Sequence, residues 1–237
     1  MNPTALTTAP LPDYAAARDH MVDSQVRPNK VIDPRIIRAM RQLPRERFVP
    51  PALAARAHAD EDVPLPGGRA LMEPMVIARL VQLLRVVPGE SVLVLAAGPG
   101  YGSALLDACG ARVTALEDDP ALLALARAVL PAVAPGVTLV EGPVVAGWPA
   151  GAPYDAILIE GAVPAIPDAL AGLLRPGTGR IAAVLMKRGR MPPGALGQGV
   201  LAGTVHVGAE TRLRAQAFFD CATPLLPQFV PAPAFTF

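Results

Sequence analysis

Aromatic residues make up only 4% of this sequence, and the charged residues Asp, Glu, Lys and Arg only 17%. Lysine occurs only at Lys30 and Lys187, and the formal net charge is +1 at pH 7. A chain this close to neutrality gives no indication of a surface for nucleic acid or another polyanion. The hydrophobic fraction of 52% excludes a disordered chain and predicts a globular protein with a large core.

Long apolar runs are also absent, since none approaches the roughly 18 residues that a membrane span requires. Residues 1–12 lack the cationic and hydrophobic segments of a secretory signal. Cys109 and Cys221 show neither a pairing pattern nor metal-ligand spacing, and the three histidines lie far apart along the chain. We therefore expect a cytoplasmic protein with buried thiols and no metal site.

The most informative stretch is residues 91–119. The apolar run Val92–Ala97 shows no alternation, which is typical of a strand buried on both faces, and it leads into the glycine-rich segment 98–102. A second short strand, Arg112–Leu116, is followed by Glu117. In a doubly wound sheet an acid at this position faces the ribose of a ligand that lies over the first turn.

A glycine-rich turn alone is weak support for a ligand site, because any tight turn between a strand and a helix needs glycine. The acid after the second strand strengthens it. A P-loop would need Lys followed by Ser or Thr, whereas Gly102 is followed by Ser103. The dinucleotide pattern GxGxxG is absent too, because the glycines at 98, 100 and 102 are spaced GxGxG. The remaining common ligand is S-adenosylmethionine.

The rest of the chain divides into three predicted parts, namely a tail at 1–12, a helical and loop segment at 13–90, and a ligand-binding core at 91–237. Alternating strands and helices after residue 91 predict an α/β fold with a doubly wound, mostly parallel sheet. Two β-rich runs without an intervening helix predict a C-terminal antiparallel hairpin. The predicted helices begin at Asp13, Asp33, Pro74, Asp119 and Ile166; 45–50 is expected to be extended and 60–74 a loop.

Several segments resemble the protein-L-isoaspartate O-methyltransferase family over about residues 21–189. Met21–Arg27 resembles the opening helix of that family, and Pro44–Val49 with the preceding Ala39-Met40 resembles its "AM…VPRERFV" segment. Asp60–Leu65 resembles its "YEDRALPI" loop, and Pro153–Leu158 resembles its "PFDAIIV" strand. Gly147-Trp148 matches the "GW" that follows its third strand. The order and spacing of these segments carry the resemblance.

The resemblance implies a Rossmann-like fold of the class I methyltransferase type. It also implies an enzyme that transfers a methyl group from S-adenosylmethionine to the free carboxylate of an isoaspartyl residue in a damaged protein. A carboxylate is already a nucleophile, so the reaction needs mainly in-line positioning and partial desolvation. The implied partner is a protein or peptide carboxylate, with neither nucleic acid nor membrane.

Carried over residue by residue, the resemblance gives a substrate loop and a cofactor site. The family's loop Gln-Thr-Ile-Ser-Gln-Pro aligns with residues 69–74, so that Met72 replaces a serine near the reacting carboxylate. Glu73 adds a negative charge to this loop, and Arg69 either offsets that charge or pairs with a carboxylate itself. The predicted substrate-loop residues are Arg69, Met72, Glu73 and Pro74; the predicted cofactor-binding residues are Ala96, Ala97, Gly98, Gly100, Tyr101, Glu117, Asp118, Val144 and Glu160.

The cofactor side also departs from the family pattern. Residues 94–101 align with the family pattern Glu-Ile-Gly-Thr-Gly-Ser-Gly-Tyr. The first acid of that pattern is missing here, and Ala96 occupies the position of its first glycine. Val144 lies in Gly-Pro-Val, where the family has Gly-Asp-Gly and an acid for adenine. Three hypotheses remain open: the isoaspartyl methyltransferase, a methyltransferase with another acceptor, and a non-catalytic protein with the same fold. Side chains of Ala96, Pro99 or Val144 filling the pocket would favour the last.

Overall fold

The computed structural model describes residues 13–186, 196–207 and 210–230. Its centre is a seven-stranded sheet with the order β5-β4-β3-β6-β7-β8-β9. The five strands from β5 to β7 are parallel, and β8 and β9 form an antiparallel hairpin at one edge. The strands are β3 Ser91–Leu95, β4 Arg112–Glu117, β5 Thr138–Glu141, β6 Ala156–Val163, β7 Arg180–Met186, β8 Leu196–Val207 and β9 Glu210–Ala222.

Two very short strands precede this sheet and form a separate hairpin. Here β1 Val63–Pro64 pairs antiparallel with β2 Ala70–Leu71. The turn between them contains Gly67 and Gly68 with φ of 68° and 70°, a conformation that favours glycine. The segment 60–74, expected to be a loop without regular structure, therefore contains a tight hairpin.

Helices begin at the capping residues that the sequence predicts. Asp13 Oδ1 accepts a hydrogen bond from Ala16 N at 3.0 Å, and Asp33 Oδ1 accepts one from Arg35 N at 2.9 Å. Proline occupies the first turn of three of these helices. The α-helices are α1 Tyr14–Met21, α2 Pro34–Gln42, α3 Pro74–Leu84, α4 Tyr101–Ala108 and α5 Pro120–Val133.

Two local expectations are wrong. Residues 45–50 are not extended, because Arg45–Phe48 form a turn of 3-10 helix that buries Phe48 completely. The helix expected from Ile166 is instead a 3-10 segment, Asp168–Leu173. The parallel sheet and the edge hairpin of β8 and β9 are confirmed. The sequence also predicts a glycine- and proline-rich linker at 188–199 and a C-terminal end that docks through Phe235 and Phe237. Residues 196–199 of this linker belong to β8 instead, and residues 188–195, Phe235 and Phe237 lie outside the described residues.

The core lies on both faces of the parallel strands. Every residue of β6 is buried, and so is every residue of β3 except Ser91, as unalternating apolar strands require. Cys109, at the C-terminus of α4, and Cys221, in β9, are both buried free thiols. Among the described residues, no helix is long and apolar enough to cross a membrane and no cluster of potential metal ligands occurs.

We predict that Leu158→Ala destabilises the protein strongly. Leu158 is fully buried in β6 between Val94 of β3 and Ala182 of β7, so the truncation leaves a cavity in the centre of the sheet. The free energy of unfolding should fall by about 2–5 kcal/mol in chemical denaturation. Leu196→Ala is the control, because Leu196 is 60% exposed in β8 and should change stability by less than about 0.5 kcal/mol. Equal losses would contradict this description of the core.

Candidate functional site

The turn between β3 and α4 lies at the carboxyl edge of the parallel strands. Ala96, Gly98 and Gly100 all have positive φ, of 55°, 58° and 98° respectively. Residues 96–100 are buried, and the backbone turns sharply enough for α4 to begin at Tyr101. This edge of an open α/β sheet is where ligands bind.

The three glycines of this turn differ in what surrounds them. A Cβ on Gly100 would lie 2.9 Å from the Leu130 side chain, and one on Gly102 would lie 2.6 Å from Glu160 Oε2. A Cβ on Gly98 would meet no atom within 4 Å beyond its chain neighbours. Close packing against the protein therefore accounts for glycine at 100 and 102, while Gly98 borders a small open space.

Glu117 is the last residue of β4 and is fully buried beside this turn. Its Oε2 accepts a hydrogen bond from Gly98 N at 2.6 Å. Its Oε1 accepts hydrogen bonds from the backbone N atoms of Asp118 and Asp119, both at 3.0 Å. The structure thus brings the predicted acid and the predicted glycine turn into direct contact.

The same carboxylate forms a buried ion pair with Arg69. Arg69 Nη1 lies 3.2 Å from Glu117 Oε1, and Nη2 lies 3.3 Å from Oε2. Nη2 also donates a hydrogen bond to the carbonyl oxygen of Ala96. The two side chains are only 3% and 0% exposed. Arg69 is thus paired with a carboxylate of the protein itself, and its role in the substrate loop stays a prediction.

The rest of the predicted substrate loop is anchored to the N-terminal segment. Asp62 Oδ1 accepts a hydrogen bond from Glu73 N at 2.7 Å, and α3 begins directly after it at Pro74. Met72 is buried, and its carbonyl oxygen accepts a hydrogen bond from Arg45 Nη2 at 2.5 Å. Burial, together with the charges of Asp60 and Asp62, raises the pKa of Glu73 above its ordinary value.

Arg45 received no individual role from the sequence, although it is central to this region. It is fully buried, donates through Nε to the carbonyl oxygen of Ala57 at 2.6 Å, and lies over the ring of Tyr101 at 4.6 Å. Burial lowers the pKa of Arg45 from its ordinary value. Its position in a short charged run, Arg45–Arg47, between Pro44 and the apolar Phe48 is the one signal that could have suggested a buried cation.

Glu160 is a second buried carboxyl at this edge of the sheet. It belongs to β6, and burial raises its pKa from 4.5 to about 8, although the charges of Arg69 and Arg45 act in the opposite direction. Arg69 thus lies in the electrostatic field of two carboxyls, of which only Glu117 contacts it directly.

The other predicted cofactor residues occupy less direct positions. Tyr101 is fully buried and packs edge-on against Phe48, with ring centroids 5.3 Å apart. Ala96, Ala97 and Val144 are also fully buried. Asp118 turns toward the C-terminal segment, where its Oδ1 accepts a hydrogen bond from Gln228 Nε2 at 3.0 Å. Their roles as cofactor-binding residues stay predictions.

A doubly wound parallel sheet with an edge hairpin, a glycine turn after its first central strand, and an acid at the end of the next strand together define a class I methyltransferase. The solved structures with this fold include a protein-L-isoaspartate O-methyltransferase, with a TM-score of 0.59, 19% identity and coverage of 78% of this chain and 62% of that chain. They also include a Plasmodium falciparum structure named as a beta-aspartate methyltransferase in complex with S-adenosyl-L-homocysteine. Its TM-score is 0.65 at 15% identity, and the match covers 89% of this chain and 98% of that chain.

Sequence comparison is more specific. Residues 16–190 match the protein-L-isoaspartate(D-aspartate) O-methyltransferase (PCMT) family. The chain is 42% identical over 167 residues to the protein-L-isoaspartate O-methyltransferase of Methylorubrum extorquens strain PA1, covering 70% of this chain and 73% of that protein. It is 38% identical over 164 residues to the enzyme of the same name from Methanoregula boonei, covering 69% and 75%. The chain belongs to the protein-L-isoaspartate O-methyltransferase family, whose methyl donor is S-adenosylmethionine.

We predict that the buried carboxyl of Glu160 makes stability depend on pH. The folded protein retains this proton up to about pH 8, whereas the unfolded chain releases it near 4.5. Because the folded state then binds more protons, the free energy of unfolding decreases as pH rises through this interval, by at most about 1.4 kcal/mol per pH unit. Glu160→Gln should remove this component.

The measurement is urea unfolding of the wild type and the variant at several pH values between 4.5 and 8. The variant should gain stability relative to the wild type as pH rises. Glu141→Gln is the control, because Glu141 Oε2 pairs with Arg127 on the surface with its side chain 61% exposed. A stability difference between wild type and Glu160→Gln that is constant across the range would contradict the assignment.

Proposed function

We propose that this protein transfers the methyl group of S-adenosylmethionine to the free carboxylate of isoaspartyl residues in proteins or peptides. The contact between Glu117 Oε2 and Gly98 N, at 2.6 Å, is the observation that carries the proposal in the structure. This contact holds the turn after β3 beside the acid at the end of β4, which is the arrangement that a ligand in contact with both requires. Family membership supplies the reaction.

The cofactor site fits its ligand only in part in this conformation. The open space beside Gly98 suits a ligand that approaches the backbone closely. The carboxylate of Glu117, however, is occupied by Arg69. The residues present accommodate the ribose only after the Arg69 side chain has moved.

The sulfonium of the cofactor supplies an electrophilic methyl group, and the substrate carboxylate is already a nucleophile. The protein's part is to position the carboxylate and remove some of its water. We assign the substrate side to Arg69, Met72, Glu73 and Pro74. The side chain of Met72 offers no hydrogen-bond donor, and burial, together with Asp60 and Asp62, raises the pKa of the Glu73 carboxyl.

A non-catalytic protein with the same fold is the second candidate. The bidentate contact between Arg69 and Glu117 favours it, because the carboxylate that should meet the ribose is satisfied within the protein. The side chains expected to fill the pocket in that case were those of Ala96, Pro99 or Val144. The side chain that contacts Glu117 is instead that of Arg69, which lies in the turn of a short hairpin.

We further propose a cytoplasmic location, with protein or peptide carboxylates as the partners and neither nucleic acid nor membrane among them. The net charge of +1 supports the exclusion of nucleic acid, because it gives no indication of a general polyanion-binding role.

A direct assay separates the two candidates. The purified protein should transfer radiolabelled methyl groups from S-adenosylmethionine to an isoaspartyl peptide and not to the matched aspartyl peptide. Binding of S-adenosylhomocysteine without transfer to the isoaspartyl peptide would indicate another acceptor. A folded protein that binds no S-adenosylhomocysteine at millimolar concentration would establish the non-catalytic alternative.

We predict that Gly98→Ala weakens S-adenosylhomocysteine binding at least tenfold in calorimetry. The new methyl group would enter the open space beside the turn, and the positive φ should cost about 1–2 kcal/mol of stability. Gly177→Ala is the matched control. Gly177 has φ of 76° and equally free surroundings, but it lies on an exposed loop before β7. The Gly177→Ala variant should lose similar stability and keep the wild-type affinity for S-adenosylhomocysteine. A Gly98→Ala protein that binds as tightly as the wild type would contradict the placement of the ligand.

A further inference from the structure

The carboxylate of Glu117 has no hydrogen-bonding capacity left for a ligand. Its Oε1 accepts from Arg69 Nη1 and from the backbone N atoms of Asp118 and Asp119. Its Oε2 accepts from Arg69 Nη2 and Gly98 N. Five donors meet a group that offers about four lone-pair sites. A ribose hydroxyl can bind there only if one of these donors leaves.

Arg69 is the donor that can leave. Its contacts with Glu117, at 3.2 and 3.3 Å, are longer than the backbone contacts of 2.6 to 3.0 Å; its departure also breaks the hydrogen bond from Nη2 to the carbonyl oxygen of Ala96. The backbone donors belong to the turn after β3 and to the residues that follow β4. Arg69, in contrast, is a long side chain in the turn of a hairpin whose strands have only two residues each. We infer that Arg69 is an internal competitor of the cofactor's ribose, and that cofactor binding, by displacing Arg69 from Glu117, releases the tip of the β1–β2 hairpin, residues 66–69. This inference rests on the proposed function.

Arg69 is also the main attachment of the hairpin to the cofactor side. Its backbone closes the hairpin turn, since Leu65 N donates to the carbonyl oxygen of Arg69 at 2.8 Å and Arg69 N donates to that of Pro66 at 3.3 Å. The tip packs on Asp119, because a Cβ on Gly67 would lie 2.5 Å from Asp119 Oδ2. Removing the guanidinium from Glu117 and from the carbonyl oxygen of Ala96 leaves the tip held by this packing, while Val63, Leu65 and Leu71 keep the rest of the hairpin buried in the core.

The base of the hairpin is held by other groups. Glu73 N donates to Asp62 Oδ1, and Arg45 holds the carbonyl oxygen of Met72. The movement is therefore confined to the tip, residues 66–69, while the buried strands and α3 stay in place. A displaced Arg69 becomes an unpaired cation on the loop assigned to the substrate, where an isoaspartyl carboxylate provides a new partner. The cofactor thus binds before the substrate.

Competition of this kind lowers the apparent affinity for the cofactor, because only the fraction of molecules in which Arg69 has left Glu117 can bind it. Arg69→Gln removes the cation and introduces the residue that the family pattern has at this position. We expect the variant to bind S-adenosylhomocysteine at least tenfold more tightly than the wild type in calorimetry. Arg127→Gln is the charge-matched control, because Arg127 lies on the surface of α5 with its side chain 58% exposed; its affinity should equal that of the wild type.

Hydrogen exchange tests the release itself. In the wild type, S-adenosylhomocysteine should accelerate amide exchange at Leu65 and Arg69 while Glu73 keeps its protection, the opposite of ordinary ligand protection. Arg69→Gln should exchange rapidly at Leu65 without ligand. Arg69→Lys keeps a charge but lacks the bidentate geometry, and its affinity should lie between the two; it serves if the glutamine variant does not fold.

The outcomes are distinguishable. The inference is overturned if the wild type binds S-adenosylhomocysteine as tightly as folded Arg69→Gln does. It is also overturned if the ligand slows amide exchange in the hairpin or leaves it unchanged. Either result leaves the proposed function standing. Absence of binding to both folded proteins overturns the proposed function together with the inference.

Discussion

A carboxylate buried at the end of a central strand constrains the whole carboxyl edge of this sheet. Glu117 cannot remain charged in the core without donors around it, because a buried charge is tolerated only when paired and hydrogen-bonded. The turn after β3 supplies one backbone donor, the chain leading to α5 supplies two, and the hairpin of residues 63–71 supplies a guanidinium. The positive φ values at 96 and 98 place the turn so that its carbonyl and N–H groups face this cluster.

The charge balance of the site depends on where Arg69 lies. Glu160, buried nearby on β6, has a pKa near 8 even with Arg69 in place, because burial outweighs the attraction of the two arginines. Withdrawal of Arg69 would remove one of those attractions and favour the protonated form of Glu160 further. The site would then hold one negative charge, that of Glu117, and its three backbone donors would still satisfy it in part. The guanidinium is therefore not the sole support of the carboxylate.

The sequence predicted the fold because its signals are local. Unalternating strands, capping acids at 13 and 33, and prolines at helix starts each act within a few residues, and the structure confirms them. The contact between Gly98 and Glu117 was also predictable, since strand order in a doubly wound sheet brings these ends together. The partner of Arg69 was not, because it lies 48 residues away and depends on the direction in which a hairpin folds back. The 3-10 segment at Arg45–Phe48 escaped prediction because proline at both ends is compatible with an extended chain as well.

The departures from the family pattern on the cofactor side of the proposed site affect one physical property, which is the free energy with which adenosine would be held. Pro143 stands where the family pattern has an acid for adenine, and Arg69 would compete on the ribose side, so both changes would weaken ligand binding without disturbing the sheet beneath it. An unmade hydrogen bond to a charged group costs about 1.5–3 kcal/mol, and a competing ion pair adds its own cost. A protein that had lost its ligand altogether would be expected to fill the space beside Gly98 with an apolar side chain, because an enclosed void loses packing energy. That space is still open, and the group that contacts Glu117 is a charged side chain on a short hairpin. This arrangement favours a site whose affinity for its ligand is reduced by Arg69 over a site that has lost the ligand altogether.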